Sequence, residues 1–117
     1  MTYTMAIETN IELDKQFLMD ILVTAVEGGI NYWCALSKVE RDKDLNVLSF
    51  AGYDHEDESE EFKCDLEDVA KVLGRIVNDD PEGSLPQSIL AQDACEIDAE
   101  CADYIVQLAI FDEIVYG

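Results

Sequence analysis

The chain has 117 residues, 49% of them apolar, which is enough material for one domain with a core and argues against global disorder. It carries 27 acids against 7 bases, a formal net charge of −20, far from the magnitude of roughly 2–8 that suits a small soluble domain. This balance excludes direct binding to nucleic acid or to an anionic membrane surface, since both require a basic face.

The excess is uneven. Residues 1–53 hold 8 acids and 4 bases, whereas residues 54–117 hold 19 acids and 3 bases. Like charges concentrated this way cost stability through self-repulsion. The start of the sequence lacks the basic and apolar run of a secretory signal, and no apolar segment approaches the ~20 residues of a membrane span. Cys34, Cys64, Cys95 and Cys101 are widely spaced, with no CxxC. In the cytoplasm expected here they stay reduced and partly buried.

In chain order, Thr2 to Glu8 is rich in β-formers and reads as a first strand. Asn10 to Asp14 reads as a turn, with Asp14 capping the helix that follows. Phe17, Leu18, Ile21, Leu22, Ala25 and Val26 fall on one helical face. Gly28 and Gly29 end that helix, one of them expected in the left-handed conformation. Ile30 to Glu40 reads as a strand, Arg41 to Asp44 as a hairpin turn and Leu45 to Tyr53 as the returning strand.

Asp54 to Glu61 (DHEDESEE) cannot pack and is expected as an acidic loop, a hairpin tip or a mobile segment in water. Phe62 to Cys64 adds a short strand. Asp65 caps a second helix whose stripe is Leu66, Val69, Ala70, Val72, Leu73, Ile76 and Val77. Asn78 to Gly83 ends it. Pro86 suits the first turn of a short third helix running on to Asp93. Asp98 caps a fourth, whose face is Cys101, Ala102, Ile105, Leu108 and Ala109. Ile114 to Tyr116 would add a strand or pack as an apolar end. The sum is one α+β domain over residues 1–117, a small mostly antiparallel sheet with about four helices on one face.

The segments VEGGINYW (26–33), DLEDVAKVL (65–73), ADYIVQLAIF (102–111) and EIVYG (113–117) resemble a group of small acidic proteins of phages, plasmids and mobile genomic regions. That resemblance covers most of the chain. It implies an accessory protein of a mobile element working in a bacterial cytoplasm. The group carries no established activity, so no catalytic or binding residue transfers from it.

The acids are the main lead to function. Duplex DNA bears one negative charge per ≈ 1.7 Å of axis, and fixed carboxylates can present a similar field to a basic cleft. Three clusters stand out: Asp57, Glu58, Glu60 and Glu61; Asp79, Asp80 and Glu82; and Glu96, Glu100 and Asp103, spaced for one helix face. For any one cluster a solvated surface is the plainer explanation, so the argument rests on the clusters sharing a face.

Metal binding fits poorly. Asp54, Glu56, Glu58 and Glu60 alternate like oxygen ligands, but an EF-hand loop requires a central glycine. One histidine and scattered cysteines supply no zinc pair. His55, the sole histidine, sits among carboxylates that favour its charged form, which opposes a general-base role. No nucleophile elbow, phosphate loop or dinucleotide fingerprint occurs, so no enzyme and no cofactor is expected. Tyr32 and Trp33 are strand neighbours and should point to opposite faces. Trp33 is then expected in the core and Tyr32 exposed, where it would serve a protein partner.

The expected function is a DNA mimic that inhibits a basic, nucleic-acid-binding host defence protein, of the anti-restriction or anti-CRISPR type. Its partner-binding residues would be Asp57, Glu58, Glu60, Glu61, Asp79, Asp80, Glu96, Glu100, Asp103 and Tyr32. The alternative is a non-enzymatic regulatory module, homodimeric or not, that associates through apolar surface around Tyr32 and the tail.

Overall fold

A computed structural model describes residues 3–5, 11–80 and 82–117. Two layers make up the molecule: four helices lie on one face of a three-stranded antiparallel sheet, the α+β arrangement expected. A separate antiparallel pair, β1 (Tyr3–Met5) and β2 (Ile11–Leu13), forms a second sheet, with β1 against the helix over Leu66–Asp79. Of the strand expected over Thr2 to Glu8, residues 3–5 are strand, and residues 2 and 6–8 lie outside the described residues. Residues 11–13, expected as a turn, pair as a strand.

Asp14 caps α1 (Lys15–Thr24) by accepting from the Gln16 amide at 3.0 Å. The helix does not end on a left-handed glycine, as neither Gly28 nor Gly29 has positive φ. It widens into a π turn over Ala25–Gly29. Gly29 is needed for closeness instead: a Cβ there would lie 2.8 Å from the Ala99 carbonyl oxygen, at the start of the last helix. The chain then turns through residues 30–33, where the Trp33 and Cys34 amides donate to the Ile30 carbonyl. The strand expected from Ile30 therefore begins only at Cys34.

The sheet order is β3 (Cys34–Arg41), β4 (Val47–Asp54), β5 (Asp57–Asp65), with β4 central. The Asp42 carboxylate organises the first turn by accepting from the Asp44 and Asn46 amides. Leu45, expected to open β4, is instead a turn residue with φ 66° and is 69% exposed. Gly52 lets the strands close up, because a Cβ would meet both the Ala35 carbonyl oxygen and the Cys34 sulfur at 2.7 Å.

The acidic stretch is not a long loop. Asp54 and Asp57 pair across a two-residue turn, and residues 57–65 are strand. Short-range bonds replace packing here: Asp54 accepts from the Glu56 amide at 2.7 Å, and Asp57 from the Ser59 amide at 3.0 Å and hydroxyl at 2.6 Å. The register jumps from Gly52–Phe62 to Asp54–Asp57, so Glu58 to Glu61 bulge from the edge.

Helix α2 (Leu66–Asp79) starts with a reciprocal capping box between Asp65 and Asp68. All seven of its expected stripe residues are buried. Helix α3 (Ser84–Leu90) stops short of Asp93, and a 3-10 turn (Ala94–Glu96) leads to α4 (Ala99–Phe111), capped by Asp98. Its buried face differs from expectation. Ala102 and Ile105 are joined by Val106, and also by Asp103 and Gln107. The core unites Leu18 and Leu22 of α1, Val69 and Leu73 of α2, Ile105 and Val106 of α4, and Val47 and Phe50 of the sheet. No described helix is long and apolar enough to cross a membrane.

Candidate functional site

The last helix carries a polar knot inside the apolar layer. Gln107 is 1% exposed and Asp103 9%. Asp103 accepts from the Trp33 indole N–H at 2.8 Å, from the Gln107 amide at 2.9 Å and from the Tyr32 hydroxyl at 2.6 Å. Gln107 Oε1 accepts from the Val115 and Tyr116 amides at 2.9 and 2.8 Å, while Nε2 donates to the Tyr116 carbonyl at 3.0 Å. One amide thus holds the backbone of the tail, as buried polar groups demand partners.

The tail forms no strand. It packs, with Tyr116 stacked on Trp33 at a ring separation of 4.7 Å and 5° between planes. Phe62 and Phe111 complete the aromatic group. The Tyr116 hydroxyl donates to Asp54, which ties the tail to the β4–β5 turn. This bond raises the Tyr116 pKa to about 12 and lowers that of Asp54. His55 is held in the same corner, with its ring Nε2 2.8 Å from the Asn31 carbonyl oxygen. Residues of three sequence segments, VEGGINYW, ADYIVQLAIF and EIVYG, converge here.

Two hollows flank the exposed edge of α4. A cleft of about 370 Å³ is lined by Tyr32, Glu100, Asp103, Tyr104, Gln107 and Tyr116, among others. A groove of about 500 Å³ lies between α2, α3 and α4, with Asp79, Asp80 and Glu100 at its sides and Ile76, Leu85 and Leu108 among its apolar lining. Glu100 and Tyr104 belong to both. Arg75 also lines the groove, and its guanidinium is committed to Asp112.

The expected binding residues therefore divide. Asp79, Asp80 and Glu100 meet in the groove, and Tyr32, Glu100 and Asp103 meet in the cleft. Asp57, Glu58 and Glu60 are exposed on β5 next to the turn that Tyr116 holds. Glu61 lies elsewhere. It accepts from Ser37 across the central strand, on a sheet face shared with Lys38 and Lys63. Glu96 falls in the 3-10 turn, outside α4, so its spacing to Glu100 puts it on no common helix face. Asp103 is not a surface charge at all. Tyr32 is exposed (56%) and Trp33 buried, as expected, but a turn rather than strand alternation separates them.

Sequence reasoning missed Gln107, Tyr116 and Asp54. The available signal was the pair Asp103 and Gln107, four apart in an apolar helix, a spacing at which side chains meet.

Two bases, Arg41 and Lys43, sit at the far end of the sheet, and Lys38 and Lys63 sit in mid-strand. Arg41 donates to the Leu45 carbonyl in the β3–β4 turn, Lys43 belongs to that turn, and Lys38 pairs with Glu40 at 3.0 Å. Lys63 shares the strand row of Lys38 through Ala51. Lys15 follows from Gln16, which donates to Asn46 of the turn at 3.0 Å.

The cysteines are all free. Burial pushes the Cys34 thiol up to about 11 and raises Cys64 further, which blunts both as nucleophiles. No protein family, curated protein or solved structure matches the chain.

Proposed function

We propose that this chain is a non-enzymatic accessory protein that engages a basic partner, occupying a nucleic-acid-binding cleft with carboxylates that stand in for phosphates. The bacterial setting and the mobile-element role rest on the resemblance of its sequence segments. The observation that carries the reading is a run of carboxylates at the hairpin and along the two hollows beside α4. Carboxylates continue from Asp57 and Glu58 at the hairpin, past the tail, to Glu100 and on to Asp79 and Asp80. Of the seven bases only Arg75 lines either hollow; Arg41 and Lys43 sit at the β3–β4 turn with Asp42 and Asp44, and Lys38 and Lys63 flank Ala51 in mid-sheet. A negative field of this kind orients an approaching cationic surface and speeds encounter.

The test is capture from a bacterial lysate at low salt, followed by elution with competing duplex DNA. A DNA-displaceable partner whose retention falls steeply with ionic strength is the expected result. Replacing Asp79 and Asp80 with Asn and Glu100 with Gln should weaken retention. Retention that ignores both salt and these amides would sink the proposal. It would favour the second reading, apolar association, which the exposure of Tyr32, Ile114 and Val115 keeps open.

A further inference from the structure

We infer that the cleft between Tyr32 and Tyr104 is an arginine-binding pocket, the point at which a basic partner is read rather than merely attracted. The inference rests on the charge-based function above and adds its recognition chemistry.

Three observations converge. First, two exposed tyrosines and Glu100 line one cleft of about 370 Å³, within the range of small-ligand pockets. Glu100 and Tyr104 stand one helical turn apart, so they share a side of α4. A guanidinium is planar and weakly hydrated; it stacks on aromatic faces and bonds to a carboxylate with the same fork. An ammonium cannot do both in this way.

Second, the Tyr32 ring is already ordered. Its hydroxyl is fixed to Asp103 at 2.6 Å, and the preceding turn is closed by the bonds to Ile30. Desolvation of that hydroxyl, reinforced by Asp103, lifts its pKa to about 12, although the rest of the residue faces solvent. A pre-ordered aromatic loses little entropy on binding.

Third, Asp103 lines the cleft and is nearly buried, and each of its hydrogen-bond donors is neutral: an indole, a phenol and an amide. Buried carboxylates ordinarily have a cationic counterpart. Among the described residues no lysine or arginine forms an ion pair with it. A guanidinium seated between the tyrosines supplies that missing charge.

The experiment compares capped hexa-arginine with capped hexa-lysine by titration calorimetry at 150 mM NaCl, where diffuse attraction is screened beyond about 8 Å. Hexa-arginine should bind about fivefold to tenfold more tightly. Tyr104→Ala and Tyr32→Ala should each reduce that preference to within about twofold, with hexa-lysine affinity unchanged. Should Tyr32→Ala fail to fold, Tyr32→Phe, which keeps the ring and loses the Asp103 bond, should retain most of the preference. The double variant Asp79→Asn/Asp80→Asn should weaken both peptides alike. Equal affinities for the two peptides, or a preference that survives Tyr104→Ala, would overturn the pocket. If both still bind in a salt-sensitive way, the charge-based function stands without it. If neither peptide binds, the pocket falls, and the lysate capture decides the function separately.

Discussion

Helices α2 and α4 lie against each other in the same apolar layer, yet they are built on different principles. α2 is divided cleanly, with valine, leucine and isoleucine inward and Glu67, Lys71 and Arg75 outward. α4 buries two polar side chains among its apolar ones, and the tail hangs from one of them, Gln107. α2 is held by area removed from water, which is tolerant of detail. α4 is held in part by hydrogen bonds that must all be made, since an orphaned buried group costs more than a made bond gains. An apolar stripe makes a scaffold, and a polar interior gives one chain segment a fixed address.

The strongest challenge to that contrast is Gln107→Leu, which nearly preserves volume but removes the partner of the Val115 and Tyr116 amides and of the Tyr116 carbonyl. A loss of about 2–4 kcal/mol is expected in urea denaturation. A loss below about 1 kcal/mol would mean that α4 is held as α2 is. Next is Gly29→Ala, which forces the π turn off the Ala99 carbonyl and should cost about 1–3 kcal/mol. Gly28→Ala, with open space around its Cβ, should stay within about 0.5 kcal/mol. Thermal unfolding of the pair measures the difference.

A third test concerns where the helices agree. Asp65→Ala and Asp98→Ala each remove an N-cap bond, at 2.9 and 2.8 Å, and each should cost about 1 kcal/mol. Similar values in denaturant melts would place the contrast inside the helices and not at their starts.

The smallest effect is one of pH. The Tyr32 and Tyr116 hydroxyls titrate near 10 when unfolded and near 12 when folded. The folded protein therefore keeps these protons longer. Their contribution to stability is complete below pH 10 and is lost as pH rises toward 12. Tyr32→Phe and Tyr116→Phe should each flatten that decline in urea midpoints taken at pH 9, 10 and 11. Asp54 works at the other extreme: its lowered pKa gives stability that is lost as pH falls through the folded value.

The same contrast explains what the residues revealed in advance. α2 could be read completely because its pattern is periodic and its caps are local. The end of α1 could not, because a π turn has no sequence period and Gly29 is explained only by a helix some seventy residues on. In Asp54 to Glu61 the hairpin tip was legible at Asp54 to Asp57, but the polar composition hid the strand beyond it, where Asp57 folds back on the Ser59 amide. In the site, the exposed carboxylates at Asp79, Asp80 and Glu100 were legible as charge. Asp103 was not, because its spacing to Glu100 suits a surface face as well as a buried one, and only the indole of Trp33 decides between them.

Trp33 is the only tryptophan in the chain, and it touches Tyr116 on one face, Asp103 at its nitrogen and two phenylalanines at its rim. Its ultraviolet emission is therefore a built-in optical reporter on a single joint. Unstacking of the tail would change the spectrum while α1 and α2 stayed intact, and a partner seated against Tyr32 would be sensed through the shared carboxylate. No dye or label is needed to follow either event.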